Sequence, residues 1–591
     1  MKFEQFIRNY FPDLSLNLDE FEGFSLSVGL NINSDFIGPY KKNIELGKLL
    51  SWPPNVFMIA YSLLDFTDKY RLIVSPQDNM SWLESDLVEV SDILGDWKTL
   101  LKEYSDDLLN EQDIYNTPTL MMHLDNVFNK QTLNSSVYDL FDNASFVKSL
   151  FKLIISIDEI FSEVNVCTSG NNSISTILVA RDILSIEKSN NLADNKNKYG
   201  IVTYKYCVPQ TGLTLNNLTH NITVLKPSVK ANIIANKLDI HSNRSDCYNI
   251  LFLPWPKTID DDSFKQSKRK NNVEMNPFFD FFDYVPKTEV SDKSFILAIT
   301  EAIRRIGVID LIVLPECALS NELFLSFKSH LFDCFGEKAP SLLSGVYGSD
   351  GDYSKNIASL AFIGEKESFE RVDQYKHHRW FLDKNQLRNY NLSGSLDPNK
   401  KWWENIRINR RHLVSLHTKN GIRLCPLICE DLARQEPVAQ AVRSVGPNLV
   451  ISLLLDGPQI PVRWPGKYSA VLSDDPGSSV LSVSALGMTR RATGLGHKPS
   501  NDVALWSEPG RTPESLDVPD GFDGLILELK INNEKMWTMD GRCKDKVVLR
   551  KLMHTPVKID ATNEKNSGTV SVLKRYLKKE LQKGSYYHAN N

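Results

Sequence analysis

The sequence predicts an α/β fold over its C-terminal half, preceded by a mixed, helix-rich region. Three observations lead there. From residue 248 onward, short apolar runs bounded by turn residues recur and read as buried strands: YNILFLPWP (248–256), IDLIVLPE (309–316), SLLSGVYG (341–348), NIASLAFIG (356–364), IRLCPLIC (422–429), NLVISLLL (448–455) and SSVLSVSALG (478–487). Between them, segments at 294–307, 431–445 and 465–475 carry helical patterns. Up to about residue 195, by contrast, apolar residues fall mainly at helical spacing, and YRLIVS (70–75) is a lone strand candidate. Buried strands alternating with helices describe sheets covered by helices.

The 591 residues exceed one ordinary core and imply several domains. With 42% apolar and 24% charged residues the chain has the composition of a globular protein. Its net charge of −5 gives no global argument for nucleic acid or an anionic membrane. Eight scattered cysteines make no disulfide framework and suit a reducing compartment. MKFEQFIRNYFPDL is too polar for a signal peptide, and no window reaches the ~18 apolar residues of a membrane span, so the expected location is cytoplasmic.

In chain order, residues 1–195 form the helix-rich domain, with Pro53-Pro54 at a helix start and a polar break at 189–198 that reads as a linker or exposed loop. Residues 196–246 are β-rich, either as an end to the first region or as a connector. The sequons NNS, NLT and NIT lack a secretory context and carry no weight. In 247–560 come the strands above, further strands at 368–376, 412–419, 502–507 and 524–530, and two surface features. The charged insertion with DDD (260–262) and KRK (268–270) reads as a solvated loop. The aromatic patch PFFDFFDY (277–284) reads as packing rather than a base-stacking platform, because no basic residues interleave with it. Residues 561–591 hold a basic helix, with Val570, Leu573, Leu577 and Leu581 on one stripe, that docks on its own protein or subunit, or else meets an acidic partner or membrane surface.

Three strand ends present ionisable groups: Glu316 in VLPE, Lys376 in YKHH and Cys429 in LICEDL. Each alone has an ordinary structural explanation. In this order, with Asn356 in NIASLAF and the closing SNDVALWSEPG (500–510), they resemble the nitrilase superfamily of carbon–nitrogen hydrolases over roughly 247–560. The resemblance implies an αββα four-layer sandwich and a Glu-Lys-Cys triad cleaving an amide, or less commonly a nitrile, through a thioester. Glu316 would be the base, Lys376 the cation facing the tetrahedral intermediate, and Cys429 the nucleophile. The backbone N–H of Glu430 would complete the oxyanion site. Relatives place a second Glu near the site; here Glu404, or else Gln386, stands for it. Glu430 and Asp431 read as charges at a helix start. Arg463 and Trp464 are candidates for substrate contact or for structure. Cys425 and Cys429, about 13 Å apart on a strand, cannot clasp one metal, so neither metal nor cofactor is expected.

The resemblance further implies a small amide-like substrate and a homo-oligomer, with no membrane. An alternative is an antiviral defence protein of bacteria, in which residues 1–245 recognise a protein or nucleic-acid trigger and the nitrilase-like part is effector or scaffold.

Overall fold

A computed structural model of the chain describes residues 1–24, 26, 44–77, 80–103, 117–162, 191–196, 199–226, 228–236, 246–268, 276–287, 290–351, 353–364, 368–408, 411–418, 420–559 and 569–583. The NNS sequon, Cys167 and residues 269–270 of the KRK run lie outside them. The chain divides into two compact units: Met1–Ala231 with Arg443–Gly446 and Lys535–Asp545, and the remainder.

In the first unit the named elements up to residue 160 are helices, the longest being Glu84–Glu103 and Ala144–Ile160. Proline opens Pro53–Thr67 and Pro118–Phe128, where its missing N–H costs nothing. Asn143 caps Ala144–Ile160 by accepting from the N–H groups of Ser145 and Phe146. The strand expected at 70–75 is instead a 3₁₀ turn, Lys69–Ile73, following directly on the left-handed Asp68. A lone apolar run with no neighbouring strand to pair with does not form one. The polar break is a loop of mixed exposure where it is described: Asp194 and Lys196 are exposed, but Asn191 and Asn195 are buried, and Asn191 Oδ1 accepts from Val202 N at 2.8 Å. Asparagine side chains satisfy a tight turn there, so polarity did not mean exposure. Ile201–Tyr204 and Ile222–Leu225 form an antiparallel pair within this unit. Asp158 anchors it by accepting from the backbone N–H of His220, Asn221 and Ile222. Asn217 and Asn221 of the other sequons are buried.

The second unit is built on two seven-stranded sheets. The first runs Phe369–Tyr375, Tyr353–Ile363, Ser341–Asp350, Leu311–Ser320, Cys247–Phe252, Gly524–Trp537, Cys543–Val557. The second runs Glu514–Asp517, Asp502–Ser507, Ser479–Ser484, Leu449–Leu454, Arg423–Ile428, His412–Thr418, Lys230–Asn236. Successive residues of one strand serve opposite faces. Leu311 and Val313 join a core that also holds Leu424, Ile451, Leu481 and Trp506 of the second sheet. Ile312 and Leu314 join another, with Phe295 and Ile299 of helix Asp292–Ile306 and Phe324 and Phe327 of helix Asn321–Phe335. The helix Val570–Lys583 seats Leu573, Leu577 and Leu581 in this same core, so the basic tail helix docks on its own unit. Outside the second sheet, helix Trp464–Asp474 lies close, with Ser469 and Ser473 hydrogen-bonded to the hydroxyls of Ser482 and Ser507 at 2.9 Å.

A third sheet, Phe381–Leu382, Lys401–Glu404, Phe279–Tyr284 and Phe264–Gln266, completes the unit. Its inner residues Phe264, Phe282, Trp402 and Leu382 are buried with Trp380 and Tyr390. Among the described residues no helix is long and apolar enough to cross a membrane.

Candidate active site

Glu316 sits inside Leu311–Ser320, where the register with Ser341–Asp350 slips between Leu314 and Leu319. The next residue, Cys317, has φ +51°, a left-handed conformation rare for a side chain with a Cβ. This bulge is accommodated by Gly345 on the neighbouring strand. A Cβ there would stand 2.4 Å from Cys317 N and Pro315 O. The bulge leaves Glu316 buried at 1% exposure.

Lys376 follows Phe369–Tyr375, the edge strand of the same sheet. Its ammonium donates to Glu316 Oε1 at 2.8 Å and to Glu404 Oε2 at 2.7 Å. Glu404 ends the third-sheet strand Lys401–Glu404, which crosses the long insertion before Cys429. Asn356 Nδ2 donates to Glu316 Oε1 and to Glu404 Oε1, both at 2.7 Å. Trp380 N donates to Glu404 Oε2 at 2.9 Å. Glu404 is thus fully engaged. Glu316 Oε2 is buried and has no hydrogen-bond partner.

Burial works against the Lys376 ammonium, but the two carboxylates outweigh it and hold its pKa well above the lysine range. Burial pushes the Glu316 carboxyl up, partly opposed by Lys376. Cys429 ends Arg423–Ile428 and turns into a 3₁₀ turn, Cys429–Leu432, with φ +46°. Burial raises its thiol well above the ordinary cysteine range, Glu316 adds to the rise and Lys376 offsets part of it. The thiol is therefore neutral at rest, with a buried carboxylate and an ammonium acting on it. Cys425, by contrast, lies within the strand, and burial alone raises its pKa.

The residues after the cysteine differ from the expected helix start. One 3₁₀ turn, a π segment at Gln435–Ala439 and the short helix Gln440–Val445 replace a continuous helix over 431–445. The extended backbone of Glu436 interrupts it. Asp431 is a fastener rather than a dipole charge. Its carboxylate accepts the His377 backbone N–H at 3.1 Å and faces His378 Nδ1 at 2.9 Å. The residue next to Lys376 is thereby tied to the turn that carries Cys429. The Glu430 side chain is occupied by Arg434, at 2.5 and 2.9 Å.

Gln386 is engaged elsewhere: its amide oxygen accepts from Asp383 N at 3.0 Å and its backbone N–H donates to Asp383 Oδ1 at 2.9 Å, closing a capping box. Trp464 opens a helix and packs on the core that includes Cys429. Arg463 is committed to Asp456 at 3.0 Å, and Tyr390 donates to the same carboxylate. Asp456 Oδ2 is left buried without a partner, and its charge also acts on Cys429. The sequence does not single out Asp456, and it offers Asp431 only as a charge at a helix start. An acid at a strand end or after a cysteine is too common to single out.

No protein-family model and no curated protein matches the sequence. Among solved structures, Nit3 of Saccharomyces cerevisiae, described as a member of branch 10 of the nitrilase superfamily, is 14% identical; the match covers 56% of this chain and 98% of that one, with a TM-score of 0.27. A CN-hydrolase superfamily protein from Xanthomonas campestris is 12% identical over 55% of this chain and 96% of its own, with a TM-score of 0.25. The glutamine-dependent NAD(+) synthetase of Cytophaga hutchinsonii is 11% identical over 48% of this chain and 42% of its own, again with a TM-score of 0.25. These scores are too low to bear on chemistry, which rests on the residues of this chain.

Proposed function

We propose that residues 247–560 form a carbon–nitrogen hydrolase of the nitrilase kind, an αββα sandwich that cleaves an amide through a Cys429 thioester. The observation that carries this reading is the division of labour between the two carboxylates around Lys376. Both Glu404 oxygens accept hydrogen bonds, whereas Glu316 keeps Oε2 buried and open. A buried carboxylate with one free oxygen and a raised pKa is suited to take a proton from a neutral thiol.

Glu316 accepts the Cys429 proton as sulfur bonds to the amide carbon and the carbonyl π pair moves to oxygen. The Lys376 ammonium and the Glu430 backbone N–H stabilise that oxyanion. The oxyanion re-forms the carbonyl, the C–N bond breaks and Glu316 returns its proton to the departing nitrogen. Water then attacks the thioester, giving its proton to Glu316. The thiolate leaves and recovers that proton, releasing a carboxylic acid. Glu404 and Asn356 position Lys376 and Glu316. Asp431 keeps the Lys376 and Cys429 segments in register.

The test is release of ammonia or amine from a panel of amides, with mass spectrometry for an acyl adduct. Wild type is expected to accumulate the adduct on Cys429, and Cys429→Ala, Glu316→Gln and Lys376→Ala each to abolish turnover. Turnover that survives all three substitutions sinks the proposal.

A further inference from the structure

The third sheet has a second face, and it differs from the one that carries Glu404. Strand alternation turns Glu404, Trp402 and Phe282 inward, and Lys401, Trp403, Phe279 and Phe281 outward. In register, Phe381 faces Trp403, Trp403 faces Phe281, and Lys401 faces Phe279. Aromatic rings therefore stand side by side across adjacent strands. The Phe381 and Trp403 centroids are 4.5 Å apart. All four rings are only half-buried, and Phe278 beside them is 64% exposed.

The rings are interleaved with cations. Lys401 Nζ lies 5.7 Å from the Phe279 centroid and 5.8 Å from that of Phe381, and Arg379 lies 5.5 Å from that of Phe281. Lys265 extends the same face on the edge strand, opposite Asp283. Beside the ladder opens a groove of about 340 Å³, lined by Lys384, Lys400 and Lys401 together with Asp383, Asn385, Pro398 and Asn399. The acids in reach are engaged. Asp383 caps its helix, Asp280 holds Lys400, and Asp283 accepts from Ser354 and Asn405. The expectation that no basic residue interleaves with the 277–284 patch holds along the chain and fails in space. The cations arrive from 379 and 401, on other segments.

We infer that this outer face binds single-stranded nucleic acid, its bases stacking on Trp403, Phe381 and Phe281 and its phosphates meeting Lys384 and Lys401 at the adjoining groove. Flat aromatic surfaces alternating with fixed positive charge match a chain of flat bases joined by anions, and stacking makes no demand on sequence. A net charge of −5 for the whole chain makes this cationic face a local feature. A paired duplex hides its base faces and is the weaker ligand.

The test is fluorescence anisotropy of the full-length protein with labelled oligothymidylate and oligouridylate of about 15 nucleotides, the upper end of a single-strand site. The same sequence as a duplex is the competitor. Both single strands are expected to bind at least ~10-fold tighter than the duplex and to weaken on raising salt from about 50 to 200 mM. A preference between the two reveals whether DNA or RNA is the target. Trp403→Ala and Phe281→Ala should each cost about 10-fold. Lys401→Glu and Lys384→Glu, on exposed side chains that the fold does not need, should weaken binding and flatten its salt dependence. Absence of binding, equal affinity for the duplex, or unchanged affinity in both lysine variants overturns the inference.

Discussion

Each compact unit buries a cluster of charges, and the two clusters are finished differently. In the first unit Arg542 is held by Asp158, Glu159 and Asp540 at 2.5 to 3.0 Å, and Lys544 takes the other Glu159 oxygen at 2.6 Å. Both Asp158 oxygens also accept backbone N–H groups, so every carboxylate oxygen there is used. In the second unit the Glu316–Lys376–Glu404 cluster is as deeply buried, yet Glu316 Oε2 and Asn356 Oδ1 have no partner. A buried polar atom without a partner costs about 1–3 kcal/mol. The first cluster is a fastener; the second keeps a carboxylate oxygen and an amide oxygen unpartnered, at the place where the proposed reaction requires a proton acceptor.

Exchanging one member from each cluster gives the sharpest separation. Glu316→Gln is expected to lower amide turnover by at least ~10⁴-fold, about 5.5 kcal/mol in the barrier, while leaving the denaturation midpoint unchanged or raised. A turnover assay and a denaturant titration on the same preparation would check it, and a strongly destabilised variant would erase the distinction between the clusters. Arg542→Met should do the reverse. Stranding Asp158 without its guanidinium is expected to cost roughly 3–5 kcal/mol of stability, with the rate per folded molecule kept. Gly345→Ala probes the bulge beneath Glu316. A Cβ 2.4 Å from backbone atoms of the bulge should cost about 1–3 kcal/mol and slow turnover, visible together in thermal melts and kinetics.

The smallest effect is a difference in sign with pH. Burial opposes the Asp158 charge, but Arg542 and the backbone N–H groups prevail and lower its pKa. Its contribution is therefore present above its unfolded pKa, near 3.9, and lost as pH falls through the folded value. Burial raises Glu316. Its contribution is full below its unfolded pKa, about 4.3, and lost as pH rises through the folded value. Stability measured against pH should thus lose its acid limb in Asp158→Asn, whereas Glu316→Gln should make the acid limb steeper. Identical profiles in the two variants would contradict the assignment.

How much of this was legible in the chain is clear from particular residues. The near-continuous apolar runs in IDLIVLPE and NLVISLLL were enough to expect strands buried on both faces. Cys429 at a strand end stood out against Cys425 four residues before it. Glu404 was reachable only as a candidate among others, and Gln386 competed with it until its capping box was seen. The strand expected at 70–75 is a 3₁₀ turn, and the loop at 191–196 buries two of its asparagines, because local composition says nothing about what pairs with a segment or covers it.

Period-2 and period-3.6 patterns, and the residue types at strand ends, are local properties, and the sequence alone determined them: an α/β core, helices before it, and the acids, lysine and thiol able to do chemistry. The tertiary structure decided which atoms meet. Residues 316, 356, 376 and 404 converge because strands of the first and third sheets approach one another at the Glu316 bulge. Asp431 reaches His377 across the chain. Lys401 comes to rest over the Phe279 ring, more than a hundred residues away in sequence. Hydrogen bonds and cation–π contacts act over a few ångströms of space, and no spacing along the chain encodes that distance once strands pair out of order.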